Sequence, residues 1–240
     1  MNIVIDQGNS SAKIAIFDKR KLYASYIYKS LRPERLLKLI LQYSPSHGIF
    51  SSVAEKDPEY LKILHSKITN FIVLEADTPL PIQLRYKTPE TLGKDRVAAV
   101  VGAHMQRMKN NLLVIDAGTA ITYDFIDSSG VYHGGNISPG MTIRFKALHH
   151  YTKQLPMLDE KGDLPEIGDS TEAAIRTGVV SGIIKEMDSY ITEFKKKYDV
   201  LTFLTGGHSF YFESRLKNAI FADGNLVLKG LNEILNYYYA

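Results

Sequence analysis

Asn2-Ile3-Val4-Ile5-Asp6-Gln7-Gly8-Asn9-Ser10 opens the chain, and Leu112-Leu113-Val114-Ile115-Asp116-Ala117-Gly118-Thr119-Ala120 repeats its pattern 110 residues later. Each copy is a short apolar strand that runs into Asp-x-Gly followed by a polar residue. Each continues into a second β-rich run, Lys13 to Phe17 and Ile121 to Ile126, which ends in a turn-forming Asp18 or Asp127. A third strand comes after each turn, Leu22 to Tyr28 and Val131 to His133. A period this long is a duplicated domain and not a solenoid, whose repeats run to about 20–50 residues. The reading is therefore two hairpin-led domains, residues 1–110 and 111–240.

Beyond each hairpin the chain alternates between helix and strand. In the first half the pattern predicts helices over Pro33 to Tyr43 and Pro58 to Ser66, with strands at Ile49 to Val53 and Phe71 to Leu74. Pro33 suits an early helix position, where its missing N–H costs nothing. Val97 to His104 also reads as helix. In the second half, Asp169-Ser170-Thr171-Glu172 is a capping signal for a long helix to Lys197, whose lysines suit the negative helix end. Leu201 to Leu204 is a strand ending in Thr205-Gly206-Gly207, with helices near Phe210 to Lys217 and Leu231 to Tyr239 after it. Strands alternating with helices place the chain in the α/β class, each half a mixed sheet with helices on its faces.

Composition narrows the function. With 45% hydrophobic and 23% charged residues, the 240-residue chain has the balance of an ordinary globular protein. Cysteine is absent, which excludes disulfides, thiol catalysis and Cys-ligated metals. Apolar runs such as Leu112 to Ile115 fall far short of the ~20 residues of a membrane span. The N-terminus lacks the basic and apolar regions of a signal peptide, so a cytoplasmic protein is expected. The net charge of +3 is too small to announce nucleic acid. Residues 1–120 carry 17 basic against 11 acidic side chains, a mild excess compatible with an anionic small ligand. The histidines His104, His149, His150 and His208 lack metal-site spacing and read as structural or exposed. Gly178 and Gly182, four apart on the long helix, read as a site of close helix packing at a subunit contact.

The repeated turn carries the chemistry. Gly8 and Gly118 are expected to take the positive φ of a tight hairpin and to let phosphate oxygens reach the backbone amides. Asn9 with Ser10, or Thr119, can donate to a phosphate. The carboxylates of Asp6 and Asp116 can orient a hard cation or its water. Alternation along the second strand aims Ser11 and Lys13 at the same phosphates. A single Asp-x-Gly is an ordinary hairpin turn; two at a matched offset form a phosphate clamp.

These two hairpins, with Thr205-Gly206-Gly207 after a late strand, resemble the acetate and sugar kinase, heat-shock ATPase and actin superfamily. More narrowly, Tyr86-Lys87-Thr88-Pro89-Glu90-Thr91-Leu92-Gly93-Lys94-Asp95-Arg96 resembles the signature of type III pantothenate kinases. So do Asp116 to Thr122, Gly134 to Gly140 and Asp169 to Ala174. The family usually has Thr where this chain has Ser10, which keeps the hydroxyl. The resemblance implies duplicated actin-like (ribonuclease H-like) domains with the active site in the cleft between them. It implies phosphorylation of the pantothenate 4′-hydroxyl by ATP, the first step of coenzyme A synthesis.

Carried over residue by residue, the resemblance assigns Asp6, Gln7, Gly8, Asn9, Ser10, Ser11, Ala12 and Lys13 to the first ATP-phosphate loop and Thr119 to a second ATP contact. Gly93, Lys94, Asp95 and Arg96 match the pantothenate element, with Asp95 as proton acceptor and Arg96 near the substrate carboxylate. Tyr86 matches another substrate contact, and Thr171 one reached across a homodimer interface. Asp116 matches a monovalent-cation ligand, so K⁺ or NH₄⁺ is implied together with the Mg²⁺ that accompanies ATP. Two other classes fit the same turns: a different small-molecule kinase, or a non-catalytic ATP-binding regulator. Only the Tyr86 to Arg96 element speaks for pantothenate, and no nucleic-acid or membrane partner is expected.

Overall fold

Both halves build their sheets in one order of connection. The computed structural model describes residues 1–8, 11–52 and 58–240. The first sheet contains β1 (Asn2–Gln7), β2 (Ala12–Asp18), β3 (Lys21–Tyr28), β4 (His47–Ser52) and β5 (Asn70–Val73), in the order β3-β2-β1-β4-β5. The second contains β6 (Gln83–Leu84), β7 (Leu112–Ala117), β8 (Ala120–Ile126), β9 (Val131–Pro139), β10 (Leu201–Thr205) and β11 (Phe221–Ala222), in the order β11-β10-β7-β8-β9-β6. Setting β6 aside, β9-β8-β7-β10-β11 repeats the order of the first sheet. The duplication read from the two hairpins is thus a duplication of topology. The helices are α1 (Pro33–Tyr43), α2 (Pro58–Lys67), α3 (Lys94–Gln106), α4 (Met141–Tyr151), α5 (Thr171–Tyr198), α6 (Ser209–Glu213) and α7 (Leu226–Tyr238).

Packing divides the chain into two compact units that are not its two sequential halves. The first holds Met1–Asn110, Phe125–Gly134 and Asn225–Ala240; the second holds Asn111–Asp124 and Gly135–Gly224. In the first unit, Ile3, Ile5, Ile14, Ile16 and Phe50 form one face of the sheet and pack on Leu36, Leu39 and Ile40 of α1 and Tyr60 and Leu64 of α2. Residues of opposite parity face the other way. There Asn2 donates to Asn232 at 2.9 Å and to Asn236 at 3.0 Å, and Asn232 donates to the Lys19 carbonyl at 2.8 Å, fastening α7 to that face. These polar ties, with the apolar stripe of α7, are why residues 225–240 group with the first unit. The helix begins at Leu226, five residues before the predicted start at Leu231.

Helix α7 lies directly against α3. A Cβ on Gly230 would stand 1.7 Å from the Ala98 carbonyl oxygen, and one on Gly102 would stand 2.4 Å from that of Leu226. Only two glycines allow backbones this close. The pair singled out in the sequence behaves differently: a Cβ on Gly178 or Gly182 meets no described atom within 4 Å. Those two glycines therefore do not form a close helix crossing among the described residues.

In the second unit, α5 buries Ile175, Val179, Val180, Ile183, Met187 and Ile191 along one stripe. Its N-terminus is capped as expected, the Ser170 hydroxyl accepting from the Ala173 N–H at 3.2 Å. Two elements depart from the sequence reading. The segment Gly134 to Pro139 continues strand β9, and α6 stops at Glu213 and not at Lys217. Asp188 on α5 accepts from the backbone N–H groups of Lys217 and Asn218, holding that stretch in a non-helical path. No helix among the described residues is long and apolar enough to cross a membrane. The predicted strand end at Val53, and Asn9 and Ser10, lie outside the described residues.

Candidate active site

In the first unit, β1 delivers Asp6 to the end of a parallel strand pair. Asp6 stands opposite Lys13 in the antiparallel β1–β2 register and beside Ser51 in the parallel β1–β4 register. Directly paired residues share a face, so Lys13, Asp6 and Ser51 form a polar row across three strands. The Ser51 hydroxyl is fully buried and has no hydrogen-bond partner among the described residues. Sequence reasoning missed it, although a Ser-Ser pair ending an apolar strand was a visible signal.

The first turn of α3 adds Asp95, whose Oδ1 accepts from the Arg96 N–H at 2.9 Å. A carboxylate is favoured at this positive helix end. Burial raises the Asp6 carboxyl to about 6, against the pull of the Lys13 ammonium and with a further push from the Asp95 charge. Asp6, with an ammonium opposite it in the strand register, thus lies within electrostatic reach of the carboxylate on the α3 N-terminus. Arg96 is buried at 5% exposure, its guanidinium carbon 5.8 Å from the centroid of the Tyr86 ring. Tyr86 is stacked in turn on Tyr132 at 6.2 Å. The aromatic face orients a cation that burial alone would penalise. Lys94 points elsewhere: its Nζ pairs with Glu75 at 2.7 Å, and both line a cavity of about 150 Å³ with Leu74, Leu80, Leu92 and Val97.

In the second unit, Asp116 occupies the place in β7 that Asp6 has in β1, and its parallel partner is the buried Thr205 of β10. The turn beyond it is braced by backbone. Gly206 has φ +96°, and a Cβ there would lie 2.4 Å from Asp116 Oδ1. His208 donates its N–H to the Ala117 carbonyl at 3.0 Å. On the other side Gly140, at the start of α4, donates to the Thr119 carbonyl at 3.1 Å. A Cβ on Gly140 would stand 2.3 Å from that oxygen and 2.5 Å from the Gly118 oxygen.

The expectation of positive φ at Gly8 and Gly118 is corrected here. Among the described residues, the glycines in that region are Gly130, Gly134, Gly162 and Gly206. The two turns close through Gly8 N–H to Ser11 O and Gly118 N–H to Ala120 O, both at 3.0 Å, and neither Gly8 nor Gly118 is left-handed. Gly118 supplies room instead, since a Cβ there would come within 3.1 Å of Asp116 Oδ1. Thr119 is exposed on the turn, and Thr171 is exposed at the start of α5. His104 proves buried, with burial lowering its pKa, which agrees with a structural role. Among the described residues, no group of three His, Asp or Glu side chains is arranged to cage a metal.

A family model described as type III pantothenate kinase matches residues 2–193. The chain belongs to the type III pantothenate kinase family. It is 48% identical over 237 residues to the type III pantothenate kinase of Azobacteroides pseudotrichonymphae, covering 99% of this chain and 97% of the relative. With that of Phocaeicola vulgatus it shares 50% identity over 238 residues, covering 99% and 98%. Among solved structures, a Campylobacter jejuni protein described under the Baf family of transcriptional activators superposes with a TM-score of 0.64 at 26% identity, over 98% of each chain. The ROK hexokinase of Thermus thermophilus superposes with a TM-score of 0.51 at 9% identity over 99% of each chain, a likeness of fold alone. Family membership accounts for the order of motifs from Asp6 to Thr171, and the sugar-kinase fold for the repeated sheet.

Proposed function

We propose that this chain transfers the γ-phosphoryl group of ATP to the 4′-hydroxyl of pantothenate, yielding 4′-phosphopantothenate and ADP in the first step of coenzyme A synthesis. The observation that carries the reading is Asp95 on the first turn of α3, close enough to Asp6 to raise its pKa and adjacent in sequence to the buried Arg96. The hydroxyl oxygen attacks the γ-phosphorus, the bond to the β–γ bridging oxygen breaks, and ADP leaves with that electron pair. Asp95 accepts the hydroxyl proton. In a loose transition state the protein mainly positions and neutralises, so alignment of the hydroxyl matters as much as its proton.

The binding roles divide between the two turns and the first turn of α3. Asp6, Gln7, Gly8, Asn9, Ser10, Ser11, Ala12 and Lys13 hold the ATP phosphates, with Thr119 as a second contact. Gly93, Asp95, Arg96 and Tyr86 hold pantothenate, Arg96 gripping its carboxylate, while the Lys94 side chain is engaged by Glu75. Asp6, with Asp95 near it, would orient the hydration shell of the Mg²⁺ that accompanies ATP, and the metal would supply charge neutralisation at the phosphates. Asp116 would hold K⁺ or NH₄⁺, a hard oxygen ligand pressed against Gly206. Thr171 would act on the partner's substrate in a cytoplasmic homodimer, in which Gly178 and Gly182 offer open ground for a second chain.

An ADP-release assay over a panel of alcohols and hydroxy acids tests the substrate. Pantothenate should turn over fastest, in K⁺ or NH₄⁺ but not Na⁺; rates no higher than with other acids overturn the reading. Equal turnover in Na⁺ removes the role of Asp116. Light scattering at assay concentration should report a dimer, and a fully active monomer removes that of Thr171.

A further inference from the structure

We propose that Arg144 and Glu186 form a positioning clamp that holds the Thr119 turn in its phosphate-binding shape, an inference that rests on the nucleotide reading of that turn. The turn touches α4 through Gly140, and the side chain of Arg144, one helical turn further on, fixes Gly140 in place. Its Nε donates to the Pro139 carbonyl at 2.8 Å, and its Nη2 donates to the Ser138 hydroxyl at 2.9 Å. One planar guanidinium therefore grips both residues immediately before Gly140, a geometry that the single-point ammonium of lysine does not reproduce.

The same Nη2 donates to Glu186 Oε2 on α5 at 2.5 Å. Glu186 Oε1 accepts from the hydroxyl of Tyr123 at 2.8 Å. Tyr123 lies on β8, the strand that leaves the Thr119 turn. It is fully buried and stacked on Tyr190 of α5 with ring centroids 4.0 Å apart. The contacts close a circuit: Thr119 turn, β8, Tyr123, Glu186, Arg144, Pro139, Gly140, and back to the Thr119 carbonyl. Burial raises the Glu186 pKa, but the hydrogen bonds from Arg144, Tyr123 and Ser138 outweigh it and hold the group below its ordinary value. A carboxylate accepts from all three donors at once here, which an amide cannot match. Arg144 and Glu186 touch only protein groups in this circuit and act through the turn.

The test is a cycle of Arg144→Lys, Thr119→Ala and the double variant, with KM for ATP, KM for pantothenate and kcat measured for each. Arg144→Lys should raise the ATP KM roughly 10-fold by misplacing the turn. The pantothenate KM should change less than about twofold, since uniform loss of fold would move both. Thr119→Ala should also raise the ATP KM, and the double variant should lose less than the product of the two effects. If Thr119→Ala acts but Arg144→Lys leaves the ATP KM unchanged, the clamp is overturned and the nucleotide reading stands. A silent Thr119→Ala overturns the nucleotide reading and the clamp with it. Independent, multiplying effects overturn the clamp alone. Should Arg144→Lys not fold, Glu186→Gln replaces it in the same cycle, and the same outcomes decide.

Discussion

The two Asp-x-Gly turns occupy equivalent places in two sheets of the same order, yet they are surrounded by different physics. Asp6 meets charges: Lys13 across the strand pair and Asp95 on α3, with the unpaired Ser51 hydroxyl beside it. Asp116 meets backbone: Gly206 against its carboxylate, and Gly140 against the turn beyond it. Duplication supplied one scaffold twice. Charged groups crowd the first turn, and close-packed glycines brace the second.

The largest effect should come from the charged side. Asp95→Asn keeps size but cannot take the hydroxyl proton, so kcat and kcat/KM should fall together by roughly 10²–10⁴-fold. Binding of ATP and pantothenate should change much less. A folded variant that keeps more than about a third of wild-type kcat sinks the base assignment. Arg96→Ala, by contrast, should raise the pantothenate KM as well.

Next comes the stability cost of Asp6. Its folded pKa of about 6 lies above the unfolded value near 3.8. For a raised carboxyl the stabilising contribution is complete below the unfolded pKa and is lost as pH rises through the folded one. Above pH 6 the buried charge therefore costs the free protein about 3 kcal/mol. Asp6→Asn should raise Tm by about 5–10 °C at pH 8, a gain that fades toward pH 4. An unchanged Tm at pH 8 would show that the first turn carries no such strain. Activity should fall in the same variant, separating stability from function at one residue.

The smallest effects set the two turns apart by their glycines. Gly140→Ala drives a methyl group into two carbonyl oxygens and should cost about 1–3 kcal/mol, lowering Tm by several degrees. Gly8→Ala meets only the Ser11 carbonyl among the described residues, at an ordinary 3.4 Å, and at negative φ. Its Tm should stay within about 2 °C of wild type or rise slightly, since alanine restricts the unfolded chain. ATP KM should nevertheless increase. Equal thermal losses in both variants would erase the distinction between a charged and a braced turn.

Sequence alone determined the duplication, the α/β class and the family, because each rests on local information. A strand followed by Asp-x-Gly is a few consecutive residues, and the Gly93 to Arg96 element is contiguous. Helix α1 was legible to the residue, Pro33 to Tyr43, since its proline and apolar spacing are local. The tertiary structure alone decided which glycines lie at a helix crossing within the chain: Gly102 with Gly230, while Gly178 and Gly182 meet no described atom within 4 Å. Close approach depends on which backbones meet, and the spacing of small residues along one helix says nothing about its neighbour. It also decided the grouping of the C-terminal helix with the first unit, through Asn2, Asn232 and Asn236. Asp6 and Asp95, far apart in the chain, became a repelling pair only when α3 settled against β4, the strand beside β1, and that repulsion adds to the burial that raises Asp6 to about 6. Local pattern sets what each segment can be. Burial and the meeting of distant charges set what each residue does.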